Sequence, residues 1–337
     1  MRVAIFGGAG FMGRPLAKIL VKSGHEVLIV DNLSVEPASL IPATKKVDQL
    51  NFITCFGTED DNRSYFFEGD VTKIHDLRLA LSFRPDLIYF FAARQGYDLD
   101  YANYAATNIT SAYALFELLS TTDFVKPTRI VLASSQAVYK PSLGRSESAY
   151  EEPPSIYGMT KLQQERAFVY FCEKLGIPLV ALRYSIVLGA GQSMDTSESG
   201  ILRNWLRATE AGEAPQIYGD GEQIRDFVHI DDVTEANFLA GLSSKLEGRS
   251  STILNISGPD TTIGNLACLY HTFVGGKTFE ALNMDVRPGG EYSLTSDSSM
   301  AWELLRWKYT KGVVPMITDF VRCRKLSAEG AERKSIG

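Results

Sequence analysis

A run of apolar residues, Val3-Ala4-Ile5-Phe6, leads without interruption into Gly7-Gly8-Ala9-Gly10-Phe11-Met12-Gly13, and an amphipathic stretch follows. Glycines at positions 7, 10 and 13 let the chain turn sharply after a strand, approach a ligand closely, and pack the next helix on the sheet. The start of that helix offers unpaired N–H groups and a partial positive charge, which suit a pyrophosphate. A chain that opens this way is committed to a strand-turn-helix unit. By itself the turn is only a turn, and the residues that follow narrow its meaning.

The first half alternates short apolar segments with amphipathic ones. Strands are predicted over residues 3–6, 27–30, 65–67, 87–91 and 130–133, and helices over 12–22, 74–82 and 107–119. The strands have no polar alternate face, as expected when helices cover both sides of a parallel sheet. A long helix is predicted from Ser155 to about Leu175; Gly176-Ile177-Pro178 stops it, and a strand runs to Arg183. The polar segment 35–63 interrupts the rhythm, with a helix expected over 43–50 and no function assigned to it.

After Gly189 the alternation weakens, and loops over 189–200, 219–223 and 287–291 surround short elements. The expected architecture is α/β: a Rossmann-type doubly wound parallel sheet with a smaller C-terminal substrate-binding lobe. Residues 1–183 would form mainly the sheet domain. Residues 184–324 would form mainly the lobe, with segments returning to the sheet, and 325–337 a polar tail.

Among the 337 residues 45% are hydrophobic and 22% charged, a globular composition, and the net charge of −6 disfavours a nucleic-acid surface. The four cysteines, Cys55, Cys172, Cys268 and Cys323, are widely spaced and read as reduced thiols, with no metal-binding spacing. No leader is recognised, and the apolar stretch 177–190 is too short to span a bilayer and contains Arg183. A soluble cytoplasmic protein is expected, with neither nucleic-acid nor membrane partners.

Asp31 ends the second predicted strand, 18 residues beyond Gly13. A carboxylate there accepts both hydroxyls of an adenosine ribose and repels a 2′-phosphate, so the pattern favours NAD over NADP. Asp70-Val71 follows the third strand, where the adenine edge would lie. Tyr157 and Lys161 are four residues apart on one helix face. A phenol has a pKa of about 10, and lowering it by about 3 units takes about 4 kcal/mol of differential stabilisation. A desolvated ammonium and a nicotinamide cation together would supply this. Ser135, at the end of the fifth strand, would hold a substrate hydroxyl and share its proton.

The ordered set of motifs resembles the extended short-chain dehydrogenase/reductases, and within them the NAD-dependent nucleotide-sugar epimerases and dehydratases. It runs from the glycine turn through Asp31-Asn32-Leu33-Ser34, Gly69-Asp70-Val71, Ala92-Ala93, Asn108 and Ser134-Ser135-Gln136-Ala137-Val138-Tyr139 to Tyr157–Lys161. Leu182-Arg183-Tyr184, Tyr218-Gly219-Asp220-Gly221, Arg225-Asp226-Phe227-Val228-His229-Ile230-Asp231-Asp232-Val233 and Arg287-Pro288-Gly289 continue it. The resemblance implies Ser135, Tyr157 and Lys161 as the catalytic set. It implies NAD contacts from Gly7, Gly10, Phe11, Met12, Asp31, Asn32, Ser34, Asp70, Val71, Phe91, Ala92, Ala93, Arg94, Asn108, Tyr157, Lys161 and Tyr184. Substrate contacts would come from Ser135, Gln136, Tyr157, Gln216, Tyr218, Arg225 and Arg287, the two arginines meeting a diphosphate. A homodimer is also implied.

Four departures bear on the reaction. Gln136 and Ala137 stand where the 4,6-dehydratases of this group carry an acid pair, and neither side chain can act as a general acid or base. Arg94 is unusual after Ala92-Ala93 and would face substrate or a cofactor phosphate. Ile186 and Gly290 replace an asparagine and an aspartate that are common on the substrate side. The pattern is most similar to UDP- or dTDP-sugar 4-epimerases working through a transient 4-keto sugar. A nucleotide-sugar reductase, decarboxylase or atypical dehydratase is the alternative, and a non-catalytic NAD-binding regulator a third reading.

Overall fold

Each inner strand of the main sheet is buried on both faces, and this decides the architecture. In β1 (Arg2–Phe6), Val3 and Ile5 enter one core while Ala4 and Phe6 enter the other. Such a strand requires helices above and below it. The computed structural model describes residues 1–34, 63–95, 100–192, 200–275, 280–282 and 293–322. The helix expected over 43–50, the loop 287–291 with Arg287, and the tail from 325 lie outside the described residues.

Seven parallel strands stand in the order β3-β2-β1-β4-β5-β6-β10. They are β1, β2 (Glu26–Asp31), β3 (Ser64–Glu68), β4 (Leu87–Phe90), β5 (Arg129–Ser135), β6 (Leu179–Tyr184) and β10 (Ser251–Ile256). The order reverses between β1 and β4, which opens a crevice at the carboxyl ends of the strands. Gly7, at the end of β1, and Ala92, after β4, flank that crevice.

Helices α1 (Gly13–Lys22), α7 (Ile230–Leu242) and α9 (Ser299–Leu305) cover one face, with Leu16, Leu20, Val233, Ala236, Ala240 and Leu305 in its core. On the other face lie α2 (Ile74–Ser82), α4 (Ser111–Leu119) and α5 (Ile156–Leu175), packed through Leu77, Leu115, Phe116 and Phe168. The helix predicted from residue 107 begins earlier and is not uniform. A short α3 (Tyr101–Tyr104), capped by Asp100 accepting from Asn103 N, runs into a π-helical segment (Ala105–Thr110) and then α4. One extra residue per turn there bulges the backbone at Asn108, whose side chain is wholly buried.

A second lobe has its own core of Leu188, Trp205, Phe227, Leu266, Tyr270 and Phe320. It is built on a three-stranded sheet of β11 (Asp260–Thr262), β9 (Ile224–His229) and β7 (Ile186–Leu188). Helices α6 (Ile201–Glu210) and α8 (Ile263–Val274), a helix over 313–322, and the pair β8 (Gln216–Tyr218) with β12 (Glu280–Leu282) complete it. No helix among the described residues is long and apolar enough to cross a membrane.

Close packing of α7 on β4 depends on Gly241. A Cβ there would stand 2.0 Å from Tyr89 Oη, whose ring is fully buried and whose hydroxyl donates to Asn237 O at 3.1 Å. Gly241→Ala is therefore expected to lower the unfolding free energy by about 1–3 kcal/mol, read from the midpoint of denaturant unfolding. An unchanged midpoint would show that this contact is loose.

Candidate active site

The glycine turn is shaped by what surrounds it. Gly7 has φ +78°, and a Cβ on it would lie 2.6 Å from Ala92 N; one on Gly13 would lie 2.5 Å from Gly8 Cα. Those two glycines are demanded by internal packing. Gly10 is different: a Cβ there would meet only Gly7 O, at 3.3 Å. Its missing side chain instead leaves the backbone open to a ligand. Phe11 and Met12 carry the turn into α1, where Met12 offers no side-chain cap and no acidic residue occupies the first turn. The helix amides are thus left to a bound anion.

Asp31 closes the same turn, accepting from Ala9 N at 3.0 Å and Leu33 N at 2.9 Å. Burial pushes its carboxyl above the usual range, and these two backbone donors oppose the shift. Asn32 Oδ1 accepts from the exposed Ser34 N at 3.1 Å. After β3, Asp70 accepts from Thr72 N and Oγ1 at 2.9 and 2.7 Å. Partial burial raises its pKa, but Thr72 and then Asn32 outweigh it and hold the carboxyl below the ordinary range. Val71, after β3, and Phe91, after β4, are buried beyond the carboxyl ends of their strands. These groups form one rim at the carboxyl ends of β1 to β4, and they fit a dinucleotide.

Asn108 ties that rim to α5. Its Oδ1 accepts from Arg94 N at 2.7 Å, and its Nδ2 donates to Arg94 O at 3.1 Å and to Thr160 Oγ1 at 3.0 Å. The loop Ala92-Ala93-Arg94 is thereby fixed against α5. Arg94 itself lies 3.8 Å from Asp100 and 5.9 Å from the Tyr104 ring centroid.

Ser135 ends β5, and a 3-10 turn over Gln136–Val138 follows, capped by Ser135 Oγ accepting from Ala137 N at 3.1 Å. The hydroxyl proton is left to donate elsewhere. That turn packs on the start of α5 because Gly158 has no side chain: a Cβ there would lie 2.2 Å from Ala137 O. Ser155 caps the helix, accepting from Gly158 N at 3.1 Å. The strand end carrying Ser135 and the helix turn carrying Tyr157 are thus pressed together.

Lys161 is only 2% exposed. Its Nζ donates to Ala133 O at 2.6 Å and to Gln164 Oε1 at 2.5 Å, leaving a third donor for the site. Burial pushes its amine down to about 7, against the opposing pull of Glu165. Glu165 is buried too, accepting from Ser134 Oγ at 2.6 Å and from Arg183 Nε and Nη2 at 2.9 and 2.5 Å. Sequence reasoning missed Gln164 and Glu165. Both follow Lys161 at helical spacing, and that spacing was the available signal.

The remaining expected residues stand on other strands. Tyr184 ends β6 with its hydroxyl turned into the core, donating to Asn237 Oδ1 at 2.7 Å. Gln216 and Tyr218 lie on β8, with Gln216 O accepting from Trp205 Nε1. Arg225 is on β9, with Nη1 donating to Ile224 O at 2.9 Å. Ile186 stands on β7, 37% exposed, opposite Phe227.

The fold and site together define a Rossmann dinucleotide enzyme with a serine, tyrosine and lysine at the carboxyl ends of its strands. Residues 3–257 match the model of the NAD dependent epimerase/dehydratase family, and the chain belongs to that family. A UDP-glucose 4-epimerase of Lacticaseibacillus casei is 29% identical over 329 residues, covering 91% of this chain and 92% of the relative. The structure of a UDP-glucuronic acid 4-epimerase from Bacillus cereus, in complex with UDP-glucuronic acid and NAD, is 25% identical with a TM-score of 0.82. It is covered in full, as is the UDP-glucose 4-epimerase of Thermotoga maritima with UDP-glucose, also 25% identical at 0.82; each aligns with 97% of this chain.

Lys161 gives a pH test independent of catalysis. A folded-state pKa below the unfolded value means the unfolded chain binds more protons between the two, so stability rises with pH from about 7 to about 10. In cofactor-free protein, Lys161→Met is expected to remove this component. Its stability relative to the parent would then fall by a few kcal/mol, on the order of 3, from about pH 6 to about pH 9.5. A flat difference in unfolding free energy across that range contradicts the assignment.

Proposed function

We propose that the protein is an NAD-dependent nucleotide-sugar 4-epimerase whose substrate is a UDP-hexose. The observation that carries this reading is the buried Lys161 amine, anchored on Ala133 O beside Ser135 and one helical turn from Tyr157. Tyr157, as phenolate, takes the proton of the C4 hydroxyl, and Ser135 holds that hydroxyl. Lys161 as ammonium stabilises the phenolate. NAD, when bound, supplies the hydride acceptor and donor for C4. The 4-keto sugar would then turn in the pocket, and with hydride restored on its opposite face Tyr157 would give the proton back. No net oxidation occurs.

Gly10, Asp31, Asp70 and the Ala92–Arg94 loop would hold the cofactor. Arg225 and Arg287 would meet the diphosphate, with Gln216 and Tyr218 beside the nucleotide. Gln136 and Ala137 offer no acid or base for eliminating water, which favours epimerisation over dehydration. The similarity to UDP-sugar 4-epimerases over nine-tenths of the chain supports the same choice.

In this reading the protein is a cytoplasmic homodimer. Cys172 and Cys268 are free thiols, in keeping with a reducing compartment. The pairing surface would be the exposed aromatic face of α4 and α5, where Tyr113 and Tyr170 are 53% and 56% exposed and flank Phe171 at 5.4 and 5.2 Å. Two copies of these helices would pack as a four-helix bundle.

Incubation of the protein with UDP-glucose, without added reductant, is expected to yield the C4 epimer. Tyr157→Phe is expected to lower kcat by at least about a hundredfold. Absence of epimer across UDP- and dTDP-hexoses, with NAD bound, would overturn the reading.

A further inference from the structure

Gln164 is wholly buried in α5, and the reaction above gives it no part. Helical side chains lean towards the helix N-terminus. Lys161 therefore reaches back over the turn of Tyr157, and Gln164, three residues on, reaches back over the turn of Lys161. There its Oε1 accepts from Lys161 Nζ at 2.5 Å. The second anchor of that amine is Ala133 O of β5, at 2.6 Å. An ammonium has three N–H donors, set tetrahedrally about the nitrogen. With one held from the helix and one from the strand, the direction of the third is fixed. With Ala133 O alone, the group would be free to rotate about that single bond.

The amide holds this orientation at a cost. Turning its oxygen to Lys161 leaves Gln164 Nε2 buried with no hydrogen-bond partner among the described residues. A buried donor without an acceptor gives up its hydration and gains no bond in return. Violations of this kind collect at functional sites. A carboxylate in the same place would also hold Nζ, but it would compensate the ammonium charge that a Tyr157 phenolate needs. Glu165, the neighbouring carboxylate, is committed to Ser134 and Arg183 and acts on Lys161 through space. Arg183 of β6 is in turn paired with Glu165 and Glu151. The π-helical segment 105–110 and the turn 136–138, both packed on α5, contain no titratable residue. Arg129 of β5 stands at the opposite end of that strand from Ser135, donating to Ala240 O and Gly241 O.

We propose that Gln164 is a positioning residue for the reaction: its neutral amide oxygen, together with Ala133 O, aims the third N–H of Lys161 towards the Tyr157 side of the site and supports the ammonium without neutralising it. This rests on the roles given to Tyr157 and Lys161 above. Being wholly buried, Gln164 meets no substrate and works through Lys161 alone. Burial pushes the Lys161 amine down to about 7, so it stands near its midpoint at neutral pH. One acceptor more or less then decides how much of it is charged.

The test follows the Lys161 amine itself. In full-length protein freed of nucleotide and isotope-labelled at lysine Cε, the Lys161 signal is identified by its loss in Lys161→Met and titrated by NMR. Gln164→Met keeps the length of the side chain and removes both the acceptor and the orphaned donor. It is expected to lower the proton affinity of Lys161 by at least about threefold. Gln164→Glu keeps an acceptor and adds charge; it is expected to raise that affinity, and it decides the matter if Gln164→Met does not fold. In NAD-loaded protein acting on UDP-glucose, the alkaline limb of kcat is expected to move to lower pH in Gln164→Met, with KM little changed. A residue that only fills space would shift the unfolding midpoint and leave the Lys161 titration in place. A Lys161 midpoint that stays or rises in Gln164→Met, or stays or falls in Gln164→Glu, overturns the proposal. If no UDP-hexose is turned over, the epimerase reading fails, and the NMR titration still decides this inference.

Discussion

The ion pair between Arg183 and Glu165 is the interaction on which the arrangement of the site depends. Neither side chain has meaningful contact with solvent: Arg183 is 0% and Glu165 1% exposed. Taking two charges out of water is costly, and the cost is offset only when both are fully hydrogen-bonded. Here they are. Arg183 also pairs with Glu151, and Glu165 accepts from Ser134. Burial drives the Arg183 pKa down, but Glu165 and then Tyr139 more than reverse this and hold the guanidinium charged. Loss of either partner leaves a lone buried charge, a cost of about 3–5 kcal/mol.

That pair joins β6 to α5 and, through Ser134, to β5, the elements that carry Ser135, Tyr157 and Lys161. It also sets the electrostatics of Lys161, whose charge Glu165 supports against burial. The network extends outward from there. The Tyr139 ring has the Arg183 and Arg145 guanidiniums at 4.7 and 5.2 Å from its centroid, and its hydroxyl donates to Asn255 on β10 at 2.7 Å. Asn255 in turn donates to Arg145 O and Asp297 O. A buried polar network thus runs from Glu165 through Arg183 and Tyr139 to Asn255, Arg145 and Asp297.

The sheet was legible in the sequence because its inner strands are apolar on both faces, and the glycine turn because its steric demands allow few residues. Tyr157 and Lys161 were legible because helical spacing puts them on one face. Other features were not. In the edge strand β10, Thr252 and Asn255, with Ser257 just beyond, are polar yet buried, so the segment does not carry the apolar run that marks the inner strands; only its pairing with β6 places it. A buried tyrosine needs a partner for its hydroxyl, and for Tyr184 that partner is Asn237 of α7, a pairing no local sequence pattern marks. Arg145 lies in an irregular loop, where no periodicity marks a residue as buried. Its role emerges only from the atoms around it.

The proposed reaction moves a proton at the C4 oxygen of a sugar while a hydride leaves and returns at C4. The most direct measurement uses UDP-hexose deuterated at C4, with the protein as purified and unlabelled nicotinamide cofactor in the medium. The account requires the label to be retained at C4 of the epimer, because the hydride never leaves the closed site. Loss of deuterium to the added cofactor or to water would contradict it.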